Sequence, residues 1–394
     1  MVDYLIIGGG IIGLNIAITL KKREPAAKIL LIEKEAEVGL HGSGRNSGVL
    51  HAGFYYTADS LKAKFTKEGN RALQAFCRER GIAVNNCGKV VVATDAAQLD
   101  GLQELKRRGE HNGVTLEWRS AEALASEYPQ IRTCQKALYS PSTATVDPRA
   151  VTLECARVAR ELGVEIRTET AYQWRIGEGR IGTTTGLITY KKLINCAGLY
   201  ADKIAKDFGF SRHYVILPFK GIYLKDSRNV SDLRTNIYPV PNLANPFLGV
   251  HYTLTVNHEA KIGPTAIPAF WRENYRGFGH FDLDEMLQIL YYEARLFASN
   301  AFGFRSLALS EIRKYAKNHL IALGKKLTRQ MDHSGYDHWS TPGIRAQLLD
   351  TRTLELVQDF VVEGDAQSVH ILNAVSPAFT SSIPFSEWVT KEYL

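Results

Sequence analysis

YLIIGGGIIGLNIAITL, residues 4 to 20, is the stretch that decides the fold. Residues 4–7 are an unbroken apolar run of strand length, Gly8-Gly9-Gly10 interrupts it, and residues 11–22 carry apolar side chains at helical spacing. A second apolar run, residues 29–32, completes a βαβ unit and ends at Glu33. Gly8, Gly10 and Gly13 match G-x-G-x-x-G, and Glu33 stands 20 residues beyond Gly13. The glycines allow a tight turn and a close backbone approach, the helix N-terminus attracts a pyrophosphate, and the carboxylate accepts hydrogen bonds from a ribose. A glycine-rich turn that serves packing alone is the alternative. The strand before, the helix after and the spaced acid together favour a dinucleotide.

Outward from this unit, the α/β rhythm stops and resumes. Residues 61–76 read as a helix, and CGKVVVAT (87–94) as a strand followed by a helix over 96–108. Asp147-Pro148 supplies an N-cap and an N1 proline for a helix to residue 162, followed by a strand over 164–168. Residues 172–175, 181–185 and 192–195 read as strands, with a turn at 177–179. Proline-punctuated alternating runs over 210–267 predict an antiparallel sheet, residues 280–335 are helical and basic toward their end, and the tail gives two strands, a loop and a helix. The expected fold class is therefore α/β: a Rossmann-like dinucleotide-binding domain, read below as FAD-binding, with an interleaved antiparallel-sheet substrate domain. The expected segments are 1–80, 145–210 and 335–394 for the first. Residues 81–144 and 211–334, with the helical segment, form the second.

Composition narrows the partners. A chain of 394 residues, 45% hydrophobic and 23% charged, buries a sizeable core. Its net charge of +7 is spread rather than striped, which suits an acidic small molecule or an anionic surface and argues against nucleic acid. Five widely spaced cysteines with no C-x-x-C suggest neither a disulfide framework nor a metal site, and imply a reducing compartment. The apolar N-terminus lacks a basic leader, and no run reaches the roughly 18 residues of a spanning helix. The expectation is a cytoplasmic protein, compatible with a peripheral place on the inner membrane.

The fingerprint alone serves nicotinamide and flavin cofactors equally. Its place at the N-terminus, the INCAG motif ending near Gly198 and the closing strand-loop-helix favour FAD held from both chain ends. GGGIIG, Glu33-Lys34, GSGRNSGVLHAGFYY, NCGKVVVAT, PFKGIY, YPVPN, NPFLGVH, PGIRAQ and NAVSPAFTSSIP together resemble the L-2-hydroxyglutarate dehydrogenase/oxidase family of FAD enzymes, within the D-amino-acid oxidase superfamily. The resemblance runs along nearly the whole chain and is weakest over 280–335. Phe379 departs from it, since relatives tend to carry smaller residues there.

That resemblance implies hydride transfer from L-2-hydroxyglutarate to FAD, giving 2-oxoglutarate, with quinone or oxygen as the electron acceptor. It places Gly8, Gly10, Gly13, Glu33 and Lys34 with Ala197 and Gly198 on the ADP side. Ser43, Arg45, Asn46, Ser47 and Gly48 fall along the pyrophosphate and the ring. Pro377, Ala378, Thr380 and Ser381 precede or open the last helix, whose N-terminus stabilises negative charge on the reduced flavin. His51 is the first choice of base, positioning of substrate or flavin being its other role, and His251 competes with it. Arg345 suits a substrate carboxylate if it is not a surface ion pair, and Lys220 a second one if it is not simply solvated. Tyr55 and Tyr56 either cap the pocket or belong to the core. Two alternatives stay open: a glycerol-3-phosphate or other 2-hydroxy-acid oxidase, and an FAD-binding electron-transfer subunit docked on a membrane by the basic helices around 310–330.

Overall fold

The computed structural model describes residues 1–228, 232–241 and 249–394; the first part of the NPFLGVH motif lies outside them. The opening βαβ unit forms as read: strand Val2–Ile7, helix Ile11–Arg23 and strand Ile29–Ile32. These strands are parallel neighbours, and the sheet continues through Glu165–Arg167 on one side and Gly186–Asn195 and Ser368–Ile371 on the other. Alternation along the strands fills both faces. Ile6, Leu31 and Ile194 pack under the helices that carry Leu14, Val151 and Phe385, while Leu5, Ile7, Leu30 and Leu193 pack on the opposite side with Ile181 and Ile204. Full burial of each such aliphatic side chain contributes about 1.5–3 kcal/mol, so both faces hold the glycine turn in place.

Asp147 caps helix Pro148–Glu161 as expected, accepting from the backbone N–H of Arg149 (2.9 Å) and Ala150 (3.3 Å). The last helix, Ala378–Tyr393, packs with Ile11–Arg23 and Leu61–Glu79 against the sheet. The end of the chain is thereby returned to the glycine turn.

The second half holds two sheets. One joins Ile267–Pro268, Tyr214–Gly221, Gly343–Asp350 and Glu355–Leu356; the other, of eight strands among the described residues, includes Lys89–Val92, Asn236–Pro239, His251–Leu254 and Tyr336–Trp339. Here the expected boundary at residue 335 is displaced. Strands Tyr336–Trp339 and Gly343–Asp350 pair with Leu224–Asp226 and Tyr214–Gly221, so the chain returns to the nucleotide sheet only after Leu356. Partner choice is a tertiary property that the local pattern of these strands does not carry.

Candidate active site

A cavity of about 900 Å³ lies between the two halves. On the nucleotide side, Gly8 has φ +108°, and a Cβ there would stand 2.5 Å from the Cys196 carbonyl oxygen. A Cβ on Gly13 would stand 2.2 Å from the Gly8 carbonyl oxygen, so Gly13 serves the packing of helix on strand and does not line the cavity. Glu33 is buried at the end of its strand, with one carboxylate oxygen accepting from the Gly9 N–H (2.8 Å) and the other from the Glu35 N–H (3.0 Å). Lys34 lines the cavity, but its ammonium pairs with Glu35 and Glu273 (2.6 Å). His41 extends this clasp, contacting Glu35 at 3.0 Å and the Tyr275 hydroxyl at 2.7 Å. Ala197 and Gly198 border the same end.

The loop after Gly42 is folded by its own polar groups. Ser43 Oγ accepts from the Ile11 N–H (2.9 Å) at the start of the first helix. The Asn46 amide donates to the Ser43 carbonyl (2.7 Å) and accepts from the Gly48 N–H (2.8 Å), which turns Gly48 off the cavity. The Arg45 guanidinium donates to the carbonyls of Leu40 and Pro342 and lies 4.3 Å from the Tyr275 ring centre. Lys261 Nζ donates to the Ser47 carbonyl (3.1 Å). From the tail, Pro377, Ala378, Phe379 and Thr380 line the cavity. Thr380 Oγ1 donates to the Val49 carbonyl and accepts from the His51 N–H, both at 3.2 Å, and so pins the histidine's strand to the first turn of the last helix. Ser381 differs from expectation: one residue farther along the helix, its hydroxyl faces Thr66 Oγ1 at 3.3 Å and not the cavity.

His51, His251 and Arg345 meet at the other end, joined by Tyr223 and Tyr238. His51 is buried, and its basicity is held well below the usual imidazole value by burial first and then by the charges of Lys89, His251 and Arg345. His251 is stacked on Tyr238 (3.7 Å, 16°) and is pushed down to about 3, again chiefly by burial. Its Nδ1 donates to the Gly249 carbonyl (2.8 Å), which leaves Nε2 as a lone pair. Arg345, on strand Gly343–Asp350, is half-buried beside Tyr56 and Tyr223, and burial lowers its basicity without discharging it.

Lys220 does not join them. Phe219 and Gly221 face the cavity, so strand alternation turns Lys220 to the opposite face, where its buried ammonium donates to Asn274 Oδ1 (3.2 Å). Tyr55 belongs to the core, stacked on Phe54 at 4.4 Å. Sequence reasoning missed Lys89, which is fully buried with Nζ 3.4 Å from His51 Nδ1, and also Lys261 and Lys62, both buried. A lysine opening the apolar run KVVV was the visible sign of the first. Among the described residues, the carboxylates that line the cavity are Glu33 and Asp207, both from the nucleotide half.

The donor set fits FAD. Gly10 faces the cavity with nothing but Ser43 Oγ near the place of a Cβ, Glu33 presents a fixed carboxylate at ribose spacing, and the volume lies in the upper range for small-molecule sites. Comparison with known proteins agrees. The family described as FAD dependent oxidoreductase matches residues 3–391. L-2-hydroxyglutarate dehydrogenase of Escherichia coli K12 is 35% identical, covering 100% of this chain and 93% of the relative. The human mitochondrial L-2-hydroxyglutarate dehydrogenase is also 35% identical, covering 99% and 88%.

The chain belongs to the L-2-hydroxyglutarate dehydrogenase family of FAD-dependent oxidoreductases.

The fold is shared more widely than that family. The FAD-bound L-alpha-glycerophosphate oxidase of Mycoplasma pneumoniae superposes with a TM-score of 0.76 over 100% of this chain and 95% of that one, at 20% identity. Glycine oxidase of Geobacillus kaustophilus gives 0.70 at 17% identity, covering 99% and 94%. Family membership thus fixes FAD as the cofactor, and the residues at the second end carry the substrate question.

Proposed function

We propose that this protein oxidises L-2-hydroxyglutarate to 2-oxoglutarate. The observation that carries the reading is the second end of the cavity: His51 held neutral beside the charged Arg345, with no carboxylate lining that end among the described residues. A dianionic substrate supplies the negative charge that this end lacks. Arg345 binds a carboxylate through its planar fork. His51, fixed by Thr380, accepts the single C2 hydroxyl proton; His251, whose Nε2 lone pair could take that same proton, is the competing base. FAD, held by Gly8, Gly10, Glu33, Ser43 and residues 377–380, supplies the hydride acceptor. The helix N-terminus at Ala378 favours negative charge there.

The anaerobic half-reaction tests the substrate. L-2-hydroxyglutarate is expected to bleach the flavin, while D-2-hydroxyglutarate and glycerol 3-phosphate do not. Bleaching by glycerol 3-phosphate alone sinks the assignment.

The electron acceptor on this reading is a membrane quinone, reached by peripheral docking. Support comes from the helical region. No described helix is long and apolar enough to cross a membrane, yet helix Leu283–Ser299 turns Leu283, Leu287, Leu290, Tyr291 and Phe297 to solvent. Phe278 (83% exposed), Phe281, Leu309 and Ile312 extend this apolar surface, and exposed Arg276, Arg305 and Arg313 accompany it. An apolar face with cationic companions suits the headgroup region of an anionic bilayer. Residues 310–330, for which the sequence favours a solvated charged face over a docking surface, contribute Ile312 to it, while Leu320, Ile321 and Leu327 pack into the core. Cosedimentation with phosphatidylglycerol vesicles is expected for the wild type and lost in F278S/L287S with flavin reduction intact; equal binding of both proteins refutes this surface.

A further inference from the structure

Among the described residues, two long cationic side chains are fully buried, and they are treated differently. Arg272, 1% exposed, is matched by Asp202 at 2.6 Å and by Glu285 at 3.7 Å. Lys89, 0% exposed, has no carboxylate in ion-pair range among the described residues. Its Nζ is enclosed by Tyr238, Tyr55 and Phe54, at 4.2, 5.0 and 5.5 Å from the ring centres, and 3.4 Å away stands His51 Nδ1. A buried cation without a counter-ion is costly, and a lysine relieves that cost by losing its proton.

We propose that Lys89 is a positioning residue for His51: as a neutral amine it accepts the Nδ1 proton, which sets the tautomer whose Nε2 lone pair serves the cavity, and it then takes that proton over. This rests on the reading of His51 as the proton acceptor. In the oxidation, the substrate O–H bond breaks as Nε2–H forms, and His51 Nδ1–H breaks as a third Nζ–H bond forms. The electron pair of the substrate C2–H bond leaves as hydride to FAD while C2=O forms. One proton ends on Lys89, and His51 is neutral again.

The charged amine does the opposite. An ammonium at Nζ donates to Nδ1 and leaves the hydrogen on Nε2, so that His51 cannot take a proton from substrate. Burial places the change between the two states near neutrality, holding the amine down to about 7. The groups facing the pair do not blur it. Cys87, Tyr55 and Tyr238 are pushed up by burial, His251 is pushed down to about 3, and Arg345 stays charged. Lys261, held at about 8 by burial, acts on His251 and donates to the Ser47 carbonyl, away from the pair; Lys62, beside Arg345 and also held at about 7, is the necessary control.

The test follows anaerobic flavin reduction by L-2-hydroxyglutarate in the holoenzyme from pH 5.5 to 9.5. In the wild type the rate is expected to rise about tenfold per pH unit up to an inflection near 7 and then level off. K89M is expected to lose the inflection, K62M to keep it, and K89R to be at least about tenfold slower throughout, with substrate affinity within about threefold in all. Nitrogen NMR of [15N]histidine-labelled wild-type holoenzyme, with His51 assigned by its absence in H51N, is expected to show the Nδ1–H tautomer at pH 8.5 and the Nε2–H tautomer at pH 6. An inflection that survives in K89M, or that vanishes in K62M instead, overturns the proposal, as does one His51 tautomer at both pH values. If H51N reduces its flavin at the wild-type rate, the base reading itself fails. A slow H51N with an unchanged K89M profile refutes the relay alone.

Discussion

The two ends of the cavity are built on opposite principles. The nucleotide end is built around backbone and glycine, with Glu33 held by two neighbouring N–H groups, and its centre springs from one βαβ unit. The other end is made of side chains that are expensive to bury, delivered by segments far apart in the chain: His51, Lys89, His251 and Arg345. A cofactor that stays bound is met by fixed dipoles, which cost nothing to reorganise. A substrate that comes and goes is met by a charge imbalance that only the substrate corrects.

The contrast can be broken from either side. The largest effect is expected from G8A: φ +108° disfavours any side chain, and the new Cβ would press on the Cys196 carbonyl, so the purified protein should lack the flavin spectrum. R345M comes next, with kcat/KM for L-2-hydroxyglutarate falling about 10²–10³-fold while the flavin stays bound, because one charge-paired carboxylate is worth roughly 3–4 kcal/mol. A smaller loss, about tenfold in the reduction rate, is expected for T380V, which removes the hydroxyl that joins Val49 and His51. It should leave flavin binding close to normal, and loss of flavin would show that Thr380 serves the cofactor end instead.

The smallest effect is on the stability of the apoprotein. The Lys89 amine titrates at about 7 when folded, against an ordinary value of 10.5, so between those values the unfolded chain binds more protons and stability rises with pH. The penalty is greatest below pH 7 and disappears above 10.5. K89M should therefore raise the unfolding temperature of the apoprotein more at pH 6 than at pH 10, and an equal shift at both would mean that Lys89 stays charged in the fold.

The same contrast explains what was legible in the sequence. The glycine turn, Glu33 and the Asp147 cap are local devices, so spacing alone places them. The second end depends on strand parity and on which strands pair. Parity misplaced Lys220, one residue from the cavity-facing Phe219. Pairing misplaced residues 336–350, whose partners lie more than 100 residues earlier. Lys89 was invisible for the same reason: Phe54, Tyr55 and His51 reach it from the loop after the glycine turn, and Tyr238 from a strand that pairs with its own. Residues 280–335 read as helical, but the pattern does not say that the solvent face of the helix Leu283–Ser299 includes so much apolar surface.

The central claim is that His51 takes the substrate proton at an end built for a dianion, and the most direct measurement is the rate of anaerobic flavin reduction by L-2-hydroxyglutarate in H51N, at saturating substrate with the flavin spectrum intact. A base of this kind contributes about 10²–10⁴-fold, so the rate should fall by at least about 10²-fold. A rate within a few-fold of the wild type would contradict the account.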